Sequence, residues 1–295
     1  MSDPALPLKE FKAAKKFFVG IDSDGCAFDT MELKHKECFI PNIVNVWELQ
    51  AISKYTREAA EFVNLYSKWR GCNRFPGLLM VFDLLAERPE VKARGVSLPE
   101  ALSLRKWVDA ETKLSSTALE KKAAQAHDPV LNQALKWSDA VNDTVAKIVR
   151  GVPPFPFVRE SLEEVAKEAD VIVVSATPCN TLNREWKEHG IDQYVKVIAG
   201  QEMGNKKEHL NFAAAARYED NHVLMVGDAP GDMNAAKANN ALFYPINPGK
   251  EEASWEKFYK EAFKKFINLE YAGEYEEKLI AEFDTYLPET PPWKK

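Results

Sequence analysis

Asp22 and Asp24 close an apolar run, Phe17-Phe18-Val19-Gly20-Ile21, and Gly25 follows at once. Residues two apart in extended chain share a face, so both carboxylates point the same way. Like charges that close require a cation or a shared proton. Other polar groups stand in the same kind of place, each just past an apolar run. Ser175 and Thr177 follow Val171-Ile172-Val173-Val174, Asp228 and Asp232 follow Val223-Leu224-Met225-Val226, and Lys206 and Lys207 follow Gly204-Asn205. Carboxylates, a hydroxyl and an ammonium suit phosphoryl transfer. A hard divalent cation such as Mg²⁺ takes few oxygen ligands from protein. Asp22 and Asp228 would hold it with a backbone carbonyl at Asp24, and Asp232 would ligate it directly or through water. One carboxylate can serve as nucleophile, and a second, two residues on, can protonate the leaving oxygen and then activate water. Ser175 and Lys206 or Lys207 would bind the phosphoryl oxygens, with Thr177 a substitute for Ser175. Taken singly these residues are caps and surface lysines; their joint placement favours a site.

These side chains meet only if the runs before them are neighbouring strands. The stretches Phe17–Ile21, Asp170–Ser175, Val195–Ala199, His222–Val226 and Ala241–Tyr244 lack polar alternation, as strands buried on both faces do. Helical patterns separate them, over Val158–Ala169, Leu182–His189, Lys207–Tyr218 and Asp232–Ala238. Strand and helix in alternation predict an α/β fold, a parallel sheet with helices on both faces. Ligands then bind beyond the carboxyl ends of the strands.

After Asp29-Thr30 the texture changes. Amphipathic helical patterning runs from Met31 to about Arg150, with helices expected over Met31–Trp47, Lys54–Trp69, Leu78–Ala86, Pro99–Ala110, Ser116–Gln125 and Pro129–Val149. Ser97-Leu98-Pro99-Glu100 and Asp128-Pro129 read as helix starts. The expected division is a core over 1–30 and 150–250, an inserted all-α unit over 31–149, and a C-terminal helical extension and tail over 251–295. Trp255, Phe258, Tyr259, Phe263 and Phe266 are placed on one helix face, and Trp293 is expected to dock on the body. In the insertion, Arg70 and Arg74 lie in a Gly-containing stretch between helices and could pair with a second anionic group on a substrate.

The 295 residues are 45% hydrophobic and 28% charged, with Lys plus Arg 39 against Asp plus Glu 45 and a net charge of −6. No basic excess suggests nucleic acid. The N-terminal stretch has lysines but no signal-like apolar core, and no run reaches about 18 apolar residues. A cytoplasmic protein without membrane partners is expected. Cys26, Cys38, Cys72 and Cys179 lack zinc spacing and are expected as reduced thiols.

Asp22-Ser23-Asp24-Gly25, Val173-Val174-Ser175, Lys206, and Gly227-Asp228 with Asp232 resemble the four ordered motifs of the haloacid dehalogenase-like (HAD) hydrolase superfamily. The resemblance spans roughly residues 17–29 and 151–248. The helical insertion straight after the first motif resembles the superfamily's first type of cap. This implies a Rossmann-like core with a helical cap, Asp22 as nucleophile and Asp24 as general acid and base. It further implies Ser175 and Lys206 (or Lys207) as phosphate binders, and Asp22, the Asp24 carbonyl, Asp228 and Asp232 as the Mg²⁺ site. An acid at position 24 favours phosphate esters over carbon–halogen or phosphonate substrates. The expectation is a Mg²⁺-dependent phosphatase of a small phosphorylated metabolite. A phosphomutase of the β-phosphoglucomutase kind and a non-catalytic phospho-acceptor are the alternatives.

Overall fold

The computed structural model describes residues 3–294; Met1, Ser2 and Lys295, at the two ends of the expected division, lie outside the described residues. Five strands form one parallel sheet, β1 (Phe17–Ile21), β2 (Ala169–Val174), β3 (Val197–Ala199), β4 (Val223–Gly227) and β5 (Leu242–Pro245), in the order β3-β2-β1-β4-β5. β1 is central and pairs with both β2 and β4, Ile21 standing beside Val173 and Val226. The strand ends that carry Asp22, Ser175 and Asp228 are therefore adjacent.

Alternation within these apolar strands feeds two cores, one on each face. Phe17, Val19, Ile21, Val171, Val173, Leu224 and Val226 pack on one side with Leu162, Trp186, Trp255 and Phe266. Phe18, Ile172, Val174 and Met225 pack on the other with Leu210, Ala213, Ala235 and Phe283. Helices thus cover both faces, which is why the strands carry no polar alternation. At the middle of β1 a Cβ on Gly20 would lie 3.0 Å from both Leu210 and Val174, so the helix Lys206–Ala214 sits close against the sheet.

The chain divides into two compact units, Gly151–Leu287 with the N-terminal stretch up to Met31, and Glu32–Arg150 with the chain end from Pro288. The second is all helical, with its own core of Ile43, Phe62, Phe75, Phe82, Trp107 and Trp137. Its helices include Ser53–Leu65, Arg74–Glu87, Leu102–Ala110, Ser116–Ala126 and Pro129–Ile148. The first expected helix is broken into α, π and α segments, Thr30–Leu33, Lys34–Phe39 and Ile40–Val46. Asp128 caps as expected, its Oδ1 accepting from the N–H groups of Val130 and Leu131. The start expected at Pro99 falls instead at Leu102, because Ala101 adopts a left-handed φ of 52° that a helix cannot include.

The helices after Gly249 are not a separate appendage. Trp255, Phe258, Phe263 and Phe266 enter the sheet's own core, and Phe283 and Leu287 enter the opposite one. Tyr259, expected on the same face, is 40% exposed, since a π turn at Phe258–Ala262 resets the register there. Trp293 packs edge-on to Phe62 with ring centroids 5.7 Å apart, in the helical unit. No helix among the described residues is long and apolar enough to cross a membrane.

Candidate active site

Each sheet residue of the site owes its place to the strand before it. The Asp22 N–H continues the ladder by donating to the Val226 carbonyl at 3.0 Å, and the carboxylate turns back, Oδ1 accepting from the Ser23 N–H at 2.7 Å. The chain then makes a tight loop in which Gly25 takes a φ of 77° and donates to the Phe28 carbonyl at 2.8 Å, a conformation suited to glycine. Ser23 faces away from the acids, and its Oγ accepts from the Trp186 indole N–H at 3.0 Å in the buried interior. Trp186 anchors the loop, a role with no signal in the sequence beyond a tryptophan in a helix.

At the end of β4, Gly227 allows a close approach. A Cβ there would lie 2.4 Å from Cγ of Asp232, so the first turn of the helix Pro230–Lys237 can fold back onto the strand end. Asp232 Oδ2 accepts from the Ala229 N–H at 3.1 Å, while Oδ1 is left to face Lys206. Lys206 opens the helix Lys206–Ala214, whose start is a reciprocal cap. Asn205 Oδ1 accepts from the Glu208 N–H at 3.0 Å, and Glu208 Oε2 accepts from the Asn205 N–H at 2.8 Å. That cap aims Lys206 Nζ at Asp22 Oδ2, 2.8 Å away, and at Asp232 Oδ1, 2.6 Å away. Lys207 is exposed. Of the two lysines the structure brings Lys206 into the cluster.

Asp22, Asp228 and Asp232 are buried, and each offers a carboxylate oxygen lying within 4.8 Å of the others'. Burial pushes Asp22 up to about 6; Lys206 pulls it down, and the Asp228 and Asp24 charges add to the rise. Asp232 is likewise raised to about 6, first by burial, against the pull of Lys206. Burial works against charge on Lys206, but Asp22, Asp232 and Asp228 outweigh it and hold the ammonium above its ordinary range. Three carboxylates against one ammonium leave an uncompensated negative charge in a dry place. An all-oxygen donor set with that charge fits a hard divalent cation such as Mg²⁺.

Asp24 stands apart from this cluster. Its carboxylate accepts from the hydroxyls of Thr30 and Thr177, the latter at 2.6 Å. The two acids of the first motif thus differ in surroundings, Asp22 among charges and Asp24 between hydroxyls. Ser175 is buried at the end of β2, its N–H bound to the Ala199 carbonyl and its Oγ accepting from the Thr177 N–H at 3.2 Å. Thr177 contacts Asp24, whereas the sequence suggested a stand-in for Ser175. Thr30, six residues past Asp24 where the helices begin, carried no separate signal.

Arg70 and Arg74 belong to the helical unit and are used inside it. Arg70 is 3% exposed and donates to the Leu65 carbonyl at 2.8 Å. Arg74 donates to the Ser138 hydroxyl at 3.0 Å and to Asn142 at 2.9 Å, with its guanidinium over the Phe39 ring. Burial pushes Arg74 down to about 10. Both guanidiniums thus make hydrogen bonds within the helical unit, Arg70 in its buried interior and Arg74 half-buried.

Residues 98–244 match the family model of haloacid dehalogenase-like hydrolases. The match holds Ser175, Lys206, Asp228 and Asp232, and begins inside the helical unit, after Asp22 and Asp24. No curated protein matches the chain. A predicted phosphoglycolate phosphatase from Haemophilus somnus is similar in structure at 14% identity and a TM-score of 0.47, over 79% of this chain and 86% of that one. A haloacid dehalogenase-like family hydrolase from Streptococcus pneumoniae is similar at 15% identity and a TM-score of 0.41, over 83% and 91%. Likeness at this level says nothing of substrate.

Proposed function

Because residues 98–244 match the family model of haloacid dehalogenase-like hydrolases, we propose that this chain is a Mg²⁺-dependent phosphatase that hydrolyses a small phosphorylated metabolite through an aspartyl-phosphate on Asp22. The observation that carries the reading is the pair of unlike acids at one strand end. Asp22 lies in the carboxylate and ammonium cluster, and Asp24, two residues on, is held apart from it by hydroxyls.

Asp22 attacks phosphorus and displaces the ester oxygen, and Asp24 gives that oxygen its proton. Asp24 then takes a proton from the water that attacks the aspartyl-phosphate, which frees Asp22 and releases phosphate. Lys206 places its ammonium where charge gathers on the phosphoryl oxygens. Ser175 accepts from the Thr177 N–H and so keeps its own O–H proton to donate to a phosphoryl oxygen. Asp22, Asp228, Asp232 and the Asp24 carbonyl would hold a divalent cation, which would supply charge neutralisation at the phosphoryl oxygens.

The test is turnover of a panel of sugar phosphates, nucleotides and an aryl phosphate with and without Mg²⁺, for wild type and Asp22→Asn. We expect release of phosphate by wild type only when Mg²⁺ is present, and a loss of at least a thousandfold in Asp22→Asn. Full activity in Asp22→Asn would remove the nucleophile from the scheme.

A further inference from the structure

We propose that Thr177 is a positioning residue for Asp24, setting the direction from which the leaving oxygen is protonated. This rests on the phosphatase reading and assigns Thr177 a task distinct from binding phosphate.

Thr177 lies three residues beyond β2, where a hydroxyl ordinarily caps the next helix. It does not cap here. The helix Cys179–Glu188 starts after Pro178, which makes no capping bond, and it is Glu202 Oε2 that accepts from the first-turn N–H of Cys179 at 2.9 Å. Instead Thr177 Oγ1 donates to Asp24 Oδ2 at 2.6 Å, while Thr30 Oγ1 donates to Asp24 Oδ1. Each carboxylate oxygen thus has its own hydroxyl, and the two grips together fix a side chain that otherwise has two soft torsions. Thr177 is itself held from two strands. Its N–H donates to Ser175 Oγ at 3.2 Å, and its carbonyl accepts from the Gln201 N–H at 3.1 Å. The second contact depends on Gly200, since a Cβ there would lie 2.6 Å from the Thr177 carbonyl oxygen. The exits of β1, β2 and β3 are in this way tied to one oxygen of one acid.

The direction of the hydrogen bond separates this role from phosphate binding. A threonine hydroxyl carries a single proton, and this one is given to Asp24. Towards a phosphoryl oxygen Thr177 would present only lone pairs. With its proton on the other oxygen a neutral Asp24 still offers Oδ2 as acceptor to the Thr177 O–H, so the grip persists, in the same direction, whether or not Asp24 carries its proton. Proton transfer requires heavy atoms within about 3 Å, so a carboxyl free to swing would lose the advantage that general acid catalysis gives.

The experiment compares wild type, the near-isosteric Thr177→Val and the hydroxyl-keeping Thr177→Ser on two esters with Mg²⁺. p-Nitrophenyl phosphate has a leaving group that departs without protonation; glycerol 3-phosphate has one that needs it. kcat/KM reports only the steps through leaving-group departure. For Thr177→Val we expect kcat/KM to fall at least tenfold on glycerol 3-phosphate and less than threefold on the aryl ester, with Thr177→Ser restoring most of the loss. Equal losses on both esters, or weaker inhibition by inorganic phosphate as the main change, would overturn the proposal. A crystal structure of Thr177→Val gives the reading that needs no turnover. The Asp24 carboxylate is expected to leave its present rotamer, and an unmoved carboxylate overturns the proposal. If wild type cleaves neither ester nor any of the panel, the phosphatase reading fails, and the crystal structure alone decides the role of Thr177.

Discussion

Gly227 lacks a side chain because Asp232 fills the space one would need. Gly227→Ala is expected to push the Asp232 carboxylate away from Lys206, lowering phosphatase activity at least tenfold and raising the Mg²⁺ concentration needed for half-maximal rate. Assays at varied Mg²⁺ check both. His209 is a second residue whose setting has a measurable consequence. It is fully buried, three residues after Lys206 on the same helix, and burial pushes it down to about 4. The native state thus favours the neutral ring while the unfolded chain titrates near 6.5. Between these values the unfolded state binds more protons, so this contribution is complete above the ordinary value and is lost as pH falls through the window. Relative to His209→Met, wild type is expected to lose about 2 kcal/mol of unfolding free energy between pH 7 and pH 5, read by urea titrations. At this scale the acids, Ser175 and the lysine pair were legible from residue type and from position after apolar runs. The parts played by Thr177 and Trp186 were not, because hydrogen bonds across 153 and 163 residues leave no mark on local pattern.

At the scale of elements, the sheet is fixed at the end opposite the site as well as at the site. Asp170, near the start of β2, accepts from the N–H groups of Ala14 at 2.7 Å and Lys15 at 3.0 Å and from the Tyr218 hydroxyl at 2.7 Å, and it pairs with Lys196. Burial alone would raise this carboxyl, yet Lys196, Tyr218 and the two N–H groups outweigh it and hold it below its ordinary range. A depressed acid stabilises above its unfolded value and stops doing so as pH falls through the folded one. Asp170→Ala leaves these buried donors without an acceptor and is expected to cost about 3 kcal/mol, with kcat unchanged within a factor of two. Thermal unfolding and a single rate measurement check the pair of claims. Strand and helix types were readable from the absence of polar alternation and from the 3.6-residue period. Their ends were less so. The left-handed Ala101 and the π turn at Phe258–Ala262 moved a helix start and turned Tyr259 outward, since both are backbone choices that hydrophobic patterning does not encode.

For the whole molecule, the chain end is the feature that the division into units brings out. The helix Glu274–Tyr286 and Leu287 belong with the sheet, whereas the stretch from Pro288 belongs with the helical unit. There Trp293 packs on Phe62 and the Arg88 guanidinium lies 4.4 Å from its ring, while Lys68 pairs with Glu289 at 3.0 Å. Trp293→Ala removes an aromatic pair and a cation–π contact and is expected to cost about 1–2 kcal/mol, seen as a fall of several degrees in the unfolding temperature. The exposed Lys68–Glu289 pair is expected to contribute under about 1 kcal/mol, so Glu289→Gln should leave that temperature nearly unchanged. The sequence by itself determined the α/β core, the helical insertion after the first acids and the identity of the charged groups, because burial on both faces and helical periodicity are written locally. Only the tertiary structure decided that Lys206 enters the cluster, that Arg70 and Arg74 bond within the helical unit, that the hydroxyls of Thr30 and Thr177 grip Asp24, and that the last residues rejoin the insertion. Those outcomes depend on which strand ends lie side by side and which backbone approaches are close enough, and such distances exist only once the chain has folded.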